Sequence, residues 1–425
     1  MTPALVATFV LIYVAIALEG PLKINKSGAA LVGAGLLWTI YALGSGSATL
    51  ANEQLGESLI GTAQIAFFLL GAMTIVEAID AHDGFAVIRS RLKARSLAGL
   101  TIAISFIAFF LSAVLDNLTT AIVMVSIVGR LVREREDRLL LAGMIVIAAN
   151  AGGAWSPIGD VTTTMLWIGG QVTTGAIVSR LFVPSLVNML VPLAAVAWKV
   201  RGRPVLGVAE PTGQDAGEAF ARNAVFALGL AVLLSVPLFK AITHLPPFLG
   251  ILFGLGLLWV IGDLIRRRDG FEEGPRSTIA QAIERIDIGA IMFFVGILLA
   301  VATLEHAGVL AALARFLDAH VGRIDLIVLI FGLLSAVIDN VPMVAAAMGM
   351  YPMSAYPPDS FLWEFMAYCA GTGGSILIIG SAAGIAAMGA EKIDFLWYLR
   401  RFAPLALLGY LAGAAVYIVQ GELLT

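Results

Sequence analysis

Two short stretches of the sequence decide the fold: "SAVLDNLTTA" at residues 112–121 and "SAVIDNVPMV" at residues 335–344. Each places an acidic residue, Asp116 or Asp339, in front of an asparagine and within a long apolar run. A carboxylate at the centre of a membrane costs roughly 2.5–3.5 kcal/mol on insertion scales, so it usually marks a functional site. The recurrence of this acidic residue in the same local sequence predicts two copies of one structural element.

The whole chain has the composition of a polytopic membrane protein. Of its 425 residues, 60% are hydrophobic and only 13% are charged, whereas soluble domains are about half apolar and about a quarter charged. Apolar runs of about 20 residues match a transmembrane helix, and the alternating pattern of a membrane barrel is missing. The single cysteine, Cys369, excludes an intramolecular disulfide framework. The net charge of −3 says nothing useful about partners, and no basic patch suggests nucleic acid.

About ten membrane spans are expected, and basic residues orient them. Lys and Arg cluster in loops on one side, whereas the intervening loops "GSGSATLANEQLGE", "GGQVTTG" and "YPMSAYPPDS" contain none. The positive-inside rule then places both termini on the outer, periplasmic side of a bacterial-type inner membrane, with the first span retained. The predicted spans are 4–20, 28–49, 58–80, 139–169, 174–199, 220–239, 246–265, 286–304, 360–390 and 402–420.

Two further apolar stretches, 98–128 and 324–350, are too long for one crossing and too short for two. We expect re-entrant hairpins, the first entering from the cytoplasm and the second from outside, each with its Asp-Asn pair at the tip. Irregular backbone at this depth is tolerated where protein buries it or where it lines a wet cavity.

The spans 139–169 and 360–390 are expected to be discontinuous. They are longer than one crossing requires and contain "ANAGGAWSPIGD" and "GTGGSILIIGS". Gly152 and Gly153 are predicted to break the first helix, and Ser156 to cap a new segment. The two breaks and the two hairpin tips should therefore meet at one site near the midplane.

The chain is predicted to consist of two inverted repeats, 1–203 and 220–425, joined by a cytoplasmic linker at 204–219. Matching motifs are separated by about 220 residues throughout, and the two halves begin on opposite sides of the membrane. Inverted repeats whose discontinuous helices meet near the midplane are typical of secondary transporters. The expected fold is an all-α polytopic membrane protein with about ten spans, two of them discontinuous, and two re-entrant hairpins.

The predicted site suits a cation that competes with a proton. Either can neutralise a buried carboxylate, which is the minimum requirement for sodium/proton exchange. Neutral oxygens would complete the coordination of a hard cation, and Glu77 is a candidate for the inner access path. The predicted Na⁺/H⁺ site comprises Asp116, Asn117, Thr119, Thr120, Asn150, Asp160, Thr162, Thr163, Asp339, Asn340, Ser375 and Ser381.

The first half of the chain is expected to hold the principal ion site. Thr119 aligns with Pro342 and Asp160 with Ser381, so the second half offers fewer oxygens. Asp116 and Asp160 would then bind the ion, with the second tip carboxylate as partner or proton carrier. More than one proton per ion would make the exchange electrogenic.

Plainer interpretations of these residues stay open. The tip residues could cap half-helices, and Thr162 and Thr163 could bond back to their own helix. Glu19 is expected to pair with Lys23 or Lys26.

Five stretches together resemble the NhaD-type sodium/proton antiporters of the ion transporter superfamily: "YVAIALEGPLKINKSGAAL", "SAVLDNLTTAIVM", "ANAGGAWSPIGDVTTTMLW", "SAVIDN" and "GTGGSILIIGSAAG". The resemblance covers nearly the whole chain and adds Ser335 to the site. It implies a homodimer in which a mobile domain carries the hairpins past a scaffold, in an elevator-like way. It also implies export of Na⁺, often of Li⁺ too, in exchange for external protons, without a cofactor.

Other functions are weighed against this one. An anion carrier of the same superfamily, for arsenite or a dicarboxylate, is the main alternative. Carboxylates at both tips, and the expected absence of a basic residue near them, favour a cation. An intramembrane aspartyl protease would need no inverted repeat, and a passive channel would show no tight coupling to a pH gradient. We therefore expect a transporter and not an enzyme.

Overall fold

The computed structural model describes residues 1–17, 19–92, 96–205, 216–268 and 278–424, so most of the predicted linker lies outside the described residues. The described chain is helical, apart from one isolated bridge between Ser96 and Pro204. The helices are α1 (Thr2–Ala17), α2 (Glu19–Leu22), α3 (Lys26–Gly44), α4 (Ala48–Ala81), α5 (Ala86–Arg91), α6 (Leu97–Ser112), α7 (Asn117–Leu131), α8 (Arg135–Ala154), α9 (Val161–Ile168), α10 (Thr174–Lys199), α11 (Ala216–Thr243), α12 (Pro247–Arg268), α13 (Thr278–Arg285), α14 (Ile288–His306), α15 (Val309–His320), α16 (Ile324–Leu334), α17 (Asn340–Met350), α18 (Phe361–Gly373), α19 (Ala382–Glu391), α20 (Phe395–Arg401) and α21 (Ala403–Leu424).

Eight helices in the described part of the chain are long and apolar enough to cross a membrane: α3, α4, α8, α10, α11, α12, α14 and α21. This confirms a multi-pass, all-α membrane protein. The count of about ten spans also requires the shorter α1 and the pair of α18 and α19, and it stays a prediction.

Helix α4 begins earlier than predicted. It starts at Ala48, whereas the span was expected to start at residue 58. The Ser47 hydroxyl caps it by accepting from the Leu50 backbone N–H at 3.3 Å. Since Ala, Leu, Glu and Gln favour helix, the segment after Ser47 extends α4 and does not form the expected loop.

Each predicted hairpin is a pair of short helices with an irregular tip. The first consists of α6 and α7, and the second of α16 and α17. Each predicted discontinuous span is likewise two helices, α8 with α9 and α18 with α19. Re-entry of the hairpins from opposite sides, and the boundaries of the two repeats, stay predictions.

The first helix break lies later than expected. Helix α8 continues through Gly152 and Gly153 to Ala154, and α9 begins at Val161 with Asp160 as its cap. The Ser156 hydroxyl donates to the Ala113 carbonyl at 2.5 Å instead of capping a helix. The prediction of a glycine break capped by Ser156 is therefore wrong, because Asp160 supplies the cap.

These glycines are required for close packing of the hairpins. A Cβ on Gly152 would overlap the Phe109 carbonyl of α6. The equivalent contact recurs in the second half, where a Cβ on Gly373 would overlap the Gly332 carbonyl of α16. Each discontinuous helix thus touches the backbone of its hairpin, which fixes the hairpin's position against that helix.

The helices form two groups. In the first group α3 packs on α14 and α1, while α4 packs on α11, α12, α13 and α14. In the second, the two hairpins and the discontinuous helices pack together with α10 and α21. The hairpin tips lie where the two groups face one another.

We expect Gly152→Ala and Gly373→Ala to destabilise the protein. Overpacking typically costs about 1–3 kcal/mol and outweighs the gain of about 1 kcal/mol from removing a helical glycine. Thermal unfolding in detergent should show a lower midpoint for both variants. Gly256→Ala is the matched control, because a Cβ there meets no atom within 4 Å. An equal midpoint in all three variants would contradict the packing role.

Candidate functional site

Four half-helices begin with side-chain caps at the junction between the hairpins and the breaks. Asp116 caps α7, Asp160 caps α9, Asp339 caps α17 and Ser381 caps α19. Unpaired N–H groups give the start of a helix a partial positive charge. The three carboxylates therefore gain electrostatic stabilisation from the helices that they cap.

Asp160 lies at the centre of the junction and is only 2% exposed. Its Oδ2 accepts hydrogen bonds from Asn117 Nδ2 at 2.7 Å and from Asn340 Nδ2 at 3.5 Å. Its Oδ1 accepts from the backbone N–H and the hydroxyl of Thr162, at 2.9 and 2.8 Å. Because Asn117 belongs to the first hairpin and Asn340 to the second, one carboxylate joins both.

Asn150 extends this network to the second helix break. Its Oδ1 accepts from Asn117 Nδ2 at 3.1 Å, and its Nδ2 donates to Ser381 Oγ at 3.0 Å. One buried hydrogen-bond network thus joins six predicted site residues: Asn117, Asn150, Asp160, Thr162, Asn340 and Ser381.

Asp116 is bound within its own hairpin. Its Oδ1 accepts from the Thr119 backbone N–H and its Oδ2 from the Thr119 hydroxyl, both at 2.7 Å. The neighbouring Thr120 hydroxyl is buried without a hydrogen-bond partner. The Thr120 hydroxyl oxygen is therefore free to coordinate an ion.

Asp339 has a basic partner, which the sequence did not reveal. Its Oδ1 accepts from the Val341 backbone N–H at 3.3 Å, and its Oδ2 lies 3.7 Å from Lys26 Nζ. The expectation that no basic residue lies near the tips is therefore wrong. Glu19 also departs from prediction, because it accepts from the Lys26 backbone N–H at 3.1 Å while the ammonium pairs with Asp339.

A cavity of about 350 Å³ lies between the two groups of helices. It reaches from the exposed Asn25 and Asp287 to the buried Asp160. The hairpins and the first break contribute Asp116, Asn117, Asp160, Asp339 and Asn340 to its wall. The facing wall includes Glu19, Asn25, Lys26, Ser27, Leu69, Met73, Asp287 and Phe293.

The remaining predicted residues lie outside the lining of this cavity. Thr163, Ser335 and Ser375 donate their hydroxyls to backbone carbonyls at 2.8, 2.8 and 2.7 Å. These bonds fix the helix breaks and the second hairpin. Glu77 lies 3.8 Å from Arg285 Nη1, and its place on an access path stays a prediction.

The described residues contain no cluster of side chains typical of a tightly bound metal ion. In the described part of the chain, no three acidic, His or Cys side chains come close enough to hold one metal ion. A cation beside Asp160 would meet few carboxylates together with amide and hydroxyl oxygens. Divalent Ca²⁺ usually requires 6–8 oxygen ligands, several of them carboxylates.

The residues of the cavity wall that faces the carboxylates were not predicted from the sequence. Lys26 and Asp287 belong to helix starts that lie far from both hairpins in the sequence. Asn25 is a recognisable helix cap, since its side chain accepts from the Ser27 N–H at 2.8 Å. That local signal predicts where α3 begins but not which element its first side chain meets.

Comparison with known proteins places the chain among transporters. A family model described as "Citrate transporter" matches residues 13–367. Sodium/proton antiporter 1 of Arabidopsis thaliana is 48% identical over 97% of this chain and 71% of its own. The Na(+)/H(+) antiporter NhaD of Vibrio cholerae is 32% identical over 97% of this chain and 90% of its own.

A solved structure supports the fold independently. The YdaH transporter of Alcanivorax borkumensis matches with a TM-score of 0.62 at 13% identity. The match covers 94% of this chain and 99% of the other. The predicted transporter fold and the prediction that the chain is not an enzyme are both confirmed. The chain belongs to the family of NhaD-type sodium/proton antiporters, within the larger group that the citrate transporter model describes.

Proposed function

We propose that this protein exports Na⁺ in exchange for H⁺ by alternating access. The observation that carries the proposal is the Asp160 carboxylate, which joins both hairpins and lines the cavity. A cation or a proton can each neutralise this carboxylate, and the two then compete for it. The names of the relatives, sodium/proton antiporter and NhaD, support the same activity.

The charge of the cavity argues against the anion-carrier alternative. Its lining residues include Glu19, Asp116, Asp160, Asp287 and Asp339 but only one base, Lys26. Citrate or a dicarboxylate would therefore meet a net negative wall. The description of the family model as a citrate transporter is outweighed by this electrostatic mismatch.

The cavity supports an inward-facing state. Asn25 and Asp287 lie at the starts of α3 and α14, which the positive-inside rule assigns to the cytoplasm. The ion site would then be open to cytoplasmic Na⁺. Export would follow when the hairpins and breaks move as one body past α3, α4 and α14.

Further features belong to this proposal. Li⁺ should substitute for Na⁺, and the protein should work as a homodimer. Both termini should lie on the periplasmic side of the inner membrane, and the two inverted repeats should span 1–203 and 220–425.

Asp160→Asn and Asp116→Asn should each abolish Na⁺-dependent proton movement. Losing a charged ligand costs about 1.5–3 kcal/mol, or roughly ten- to hundredfold in affinity. Proteoliposomes with an imposed pH gradient would be given NaCl, LiCl, KCl, citrate, arsenite or succinate in turn. The wild type should dissipate the gradient with Na⁺ and Li⁺ only.

Asp394→Asn is the matched control for these variants. Asp394 also caps a helix, accepting from the Trp397 N–H at 2.9 Å, but it lies at an exposed position outside the cavity. It should keep full exchange. Dissipation by citrate, arsenite or succinate, with no response to Na⁺, would overturn the proposal in favour of an anion carrier.

We expect the exchange to be electrogenic, because the two tip carboxylates, Asp116 and Asp339, together with Asp160 can hold more than one proton per ion. For each net charge moved per cycle, a membrane potential of 100 mV contributes about 2.3 kcal/mol to the free energy of transport. A K⁺ gradient with valinomycin should therefore change the rate of ²²Na⁺ movement at constant pH. A rate of ²²Na⁺ movement that does not change with the membrane potential would indicate electroneutral exchange.

A further inference from the structure

Lys26 is the one base among the cavity-lining residues that the structure describes. Its Nζ lies 3.7 Å from Asp339 Oδ2 and 4.7 Å from the centroid of the Phe293 ring. The side chains of Lys26 and Asp339 are 26% and 23% exposed, so the pair is largely shielded from water. An ion pair at this position changes the net charge that a transported ion meets.

The backbone of Lys26 is held rigidly on the wall that faces the hairpins. Its N–H donates to Glu19 Oε1 at 3.1 Å. The adjacent Ser27 hydroxyl donates to the Gly289 carbonyl of α14 at 2.7 Å. The ammonium is therefore presented to the second tip by a fixed support.

Among the residues that the structure describes, a lysine partner occurs at the second tip and not at the first, and the sequence difference between the tips explains this. In the first tip, Thr119 donates its N–H and its hydroxyl to Asp116. The aligned residue of the second tip is Pro342, which has neither donor. Asp339 Oδ2 lacks the hydroxyl that its counterpart receives, and it faces the Lys26 ammonium instead.

We propose that Lys26 is a specificity-determining residue that neutralises Asp339 and so restricts the cavity to monovalent cations. With Asp339 balanced, one negative charge fewer attracts the ion, and this loss of Coulomb attraction is twice as large for a divalent cation as for a monovalent one. The proposal rests on the proposed function only in taking the transported ion to be a monovalent cation.

Charge scaling gives the proposal a quantitative signature. Coulomb energy is proportional to the charge of the ion, so removing the ammonium affects Ca²⁺ twice as strongly as Na⁺ on a logarithmic scale. If Lys26→Met raises Na⁺ affinity about tenfold, it should raise Ca²⁺ affinity about a hundredfold. A purely structural role of Lys26 would not produce this ratio.

The test is equilibrium binding of ²²Na⁺ and ⁴⁵Ca²⁺ to the purified full-length protein in detergent. The Lys26→Met variant should bind both ions more tightly, and the fold-change in Ca²⁺ affinity should be the square of the fold-change in Na⁺ affinity. Lys26→Arg should behave as the wild type. Lys26→Met combined with Asp339→Asn should restore the wild-type preference, because the charge balance returns. Lys23→Met is the matched control, since Lys23 is exposed and lies outside the cavity.

Unchanged or weaker Ca²⁺ binding by Lys26→Met would overturn the inference. So would a double variant that keeps the Ca²⁺ binding of the single variant. Failure of the proposed function gives a different result, namely wild-type protein that moves no protons in response to Na⁺. Because ⁴⁵Ca²⁺ binding requires no transport, the two failures are distinguished.

Discussion

The structure depends on one buried carboxylate, Asp160, which accepts hydrogen bonds from both hairpins. Asn117 and Asn340 begin α7 and α17, and each donates to the same oxygen of Asp160. This contact requires a break between α8 and α9, so that the start of α9 faces the hairpin tips. It also requires glycine at positions such as Gly152, where the hairpin backbone leaves no room for a Cβ. An ion or a proton at this oxygen would be sensed by both halves of the chain.

The site lies between two groups of helices, and two lysines connect the groups. Lys26 of α3 reaches Asp339 at the second tip. Lys240 of α11 donates to the Trp167 carbonyl at the end of α9 and lies 4.4 Å from the centroid of the Trp167 ring. In an elevator-like movement both contacts would have to break. The charge on Asp339 would therefore affect how readily the hairpins move, because it holds the Lys26 contact.

Local signals in the sequence predicted much of this site. A charge inside an apolar run is costly, so Asp116 and Asp339 identified the hairpin tips without any structure. The cap of α9 was misassigned because Ser156 and Asp160 are both good caps, and packing decides between them. Lys26 was missed because its partner is more than three hundred residues away in the sequence. A pairing between distant elements leaves no local pattern, whereas a cap or a buried charge does.

The most direct test of the central claim is proton release on Na⁺ binding. Purified protein in weakly buffered detergent solution would be titrated with NaCl, with choline chloride as the ionic-strength control. If Na⁺ and H⁺ compete for the carboxylates of this cavity, Na⁺ should release protons from the wild type and not from Asp160→Asn. Release of the same number of protons from both proteins, or no release from the wild type at any pH between about 6 and 9, where a buried carboxylate can titrate, would contradict the account.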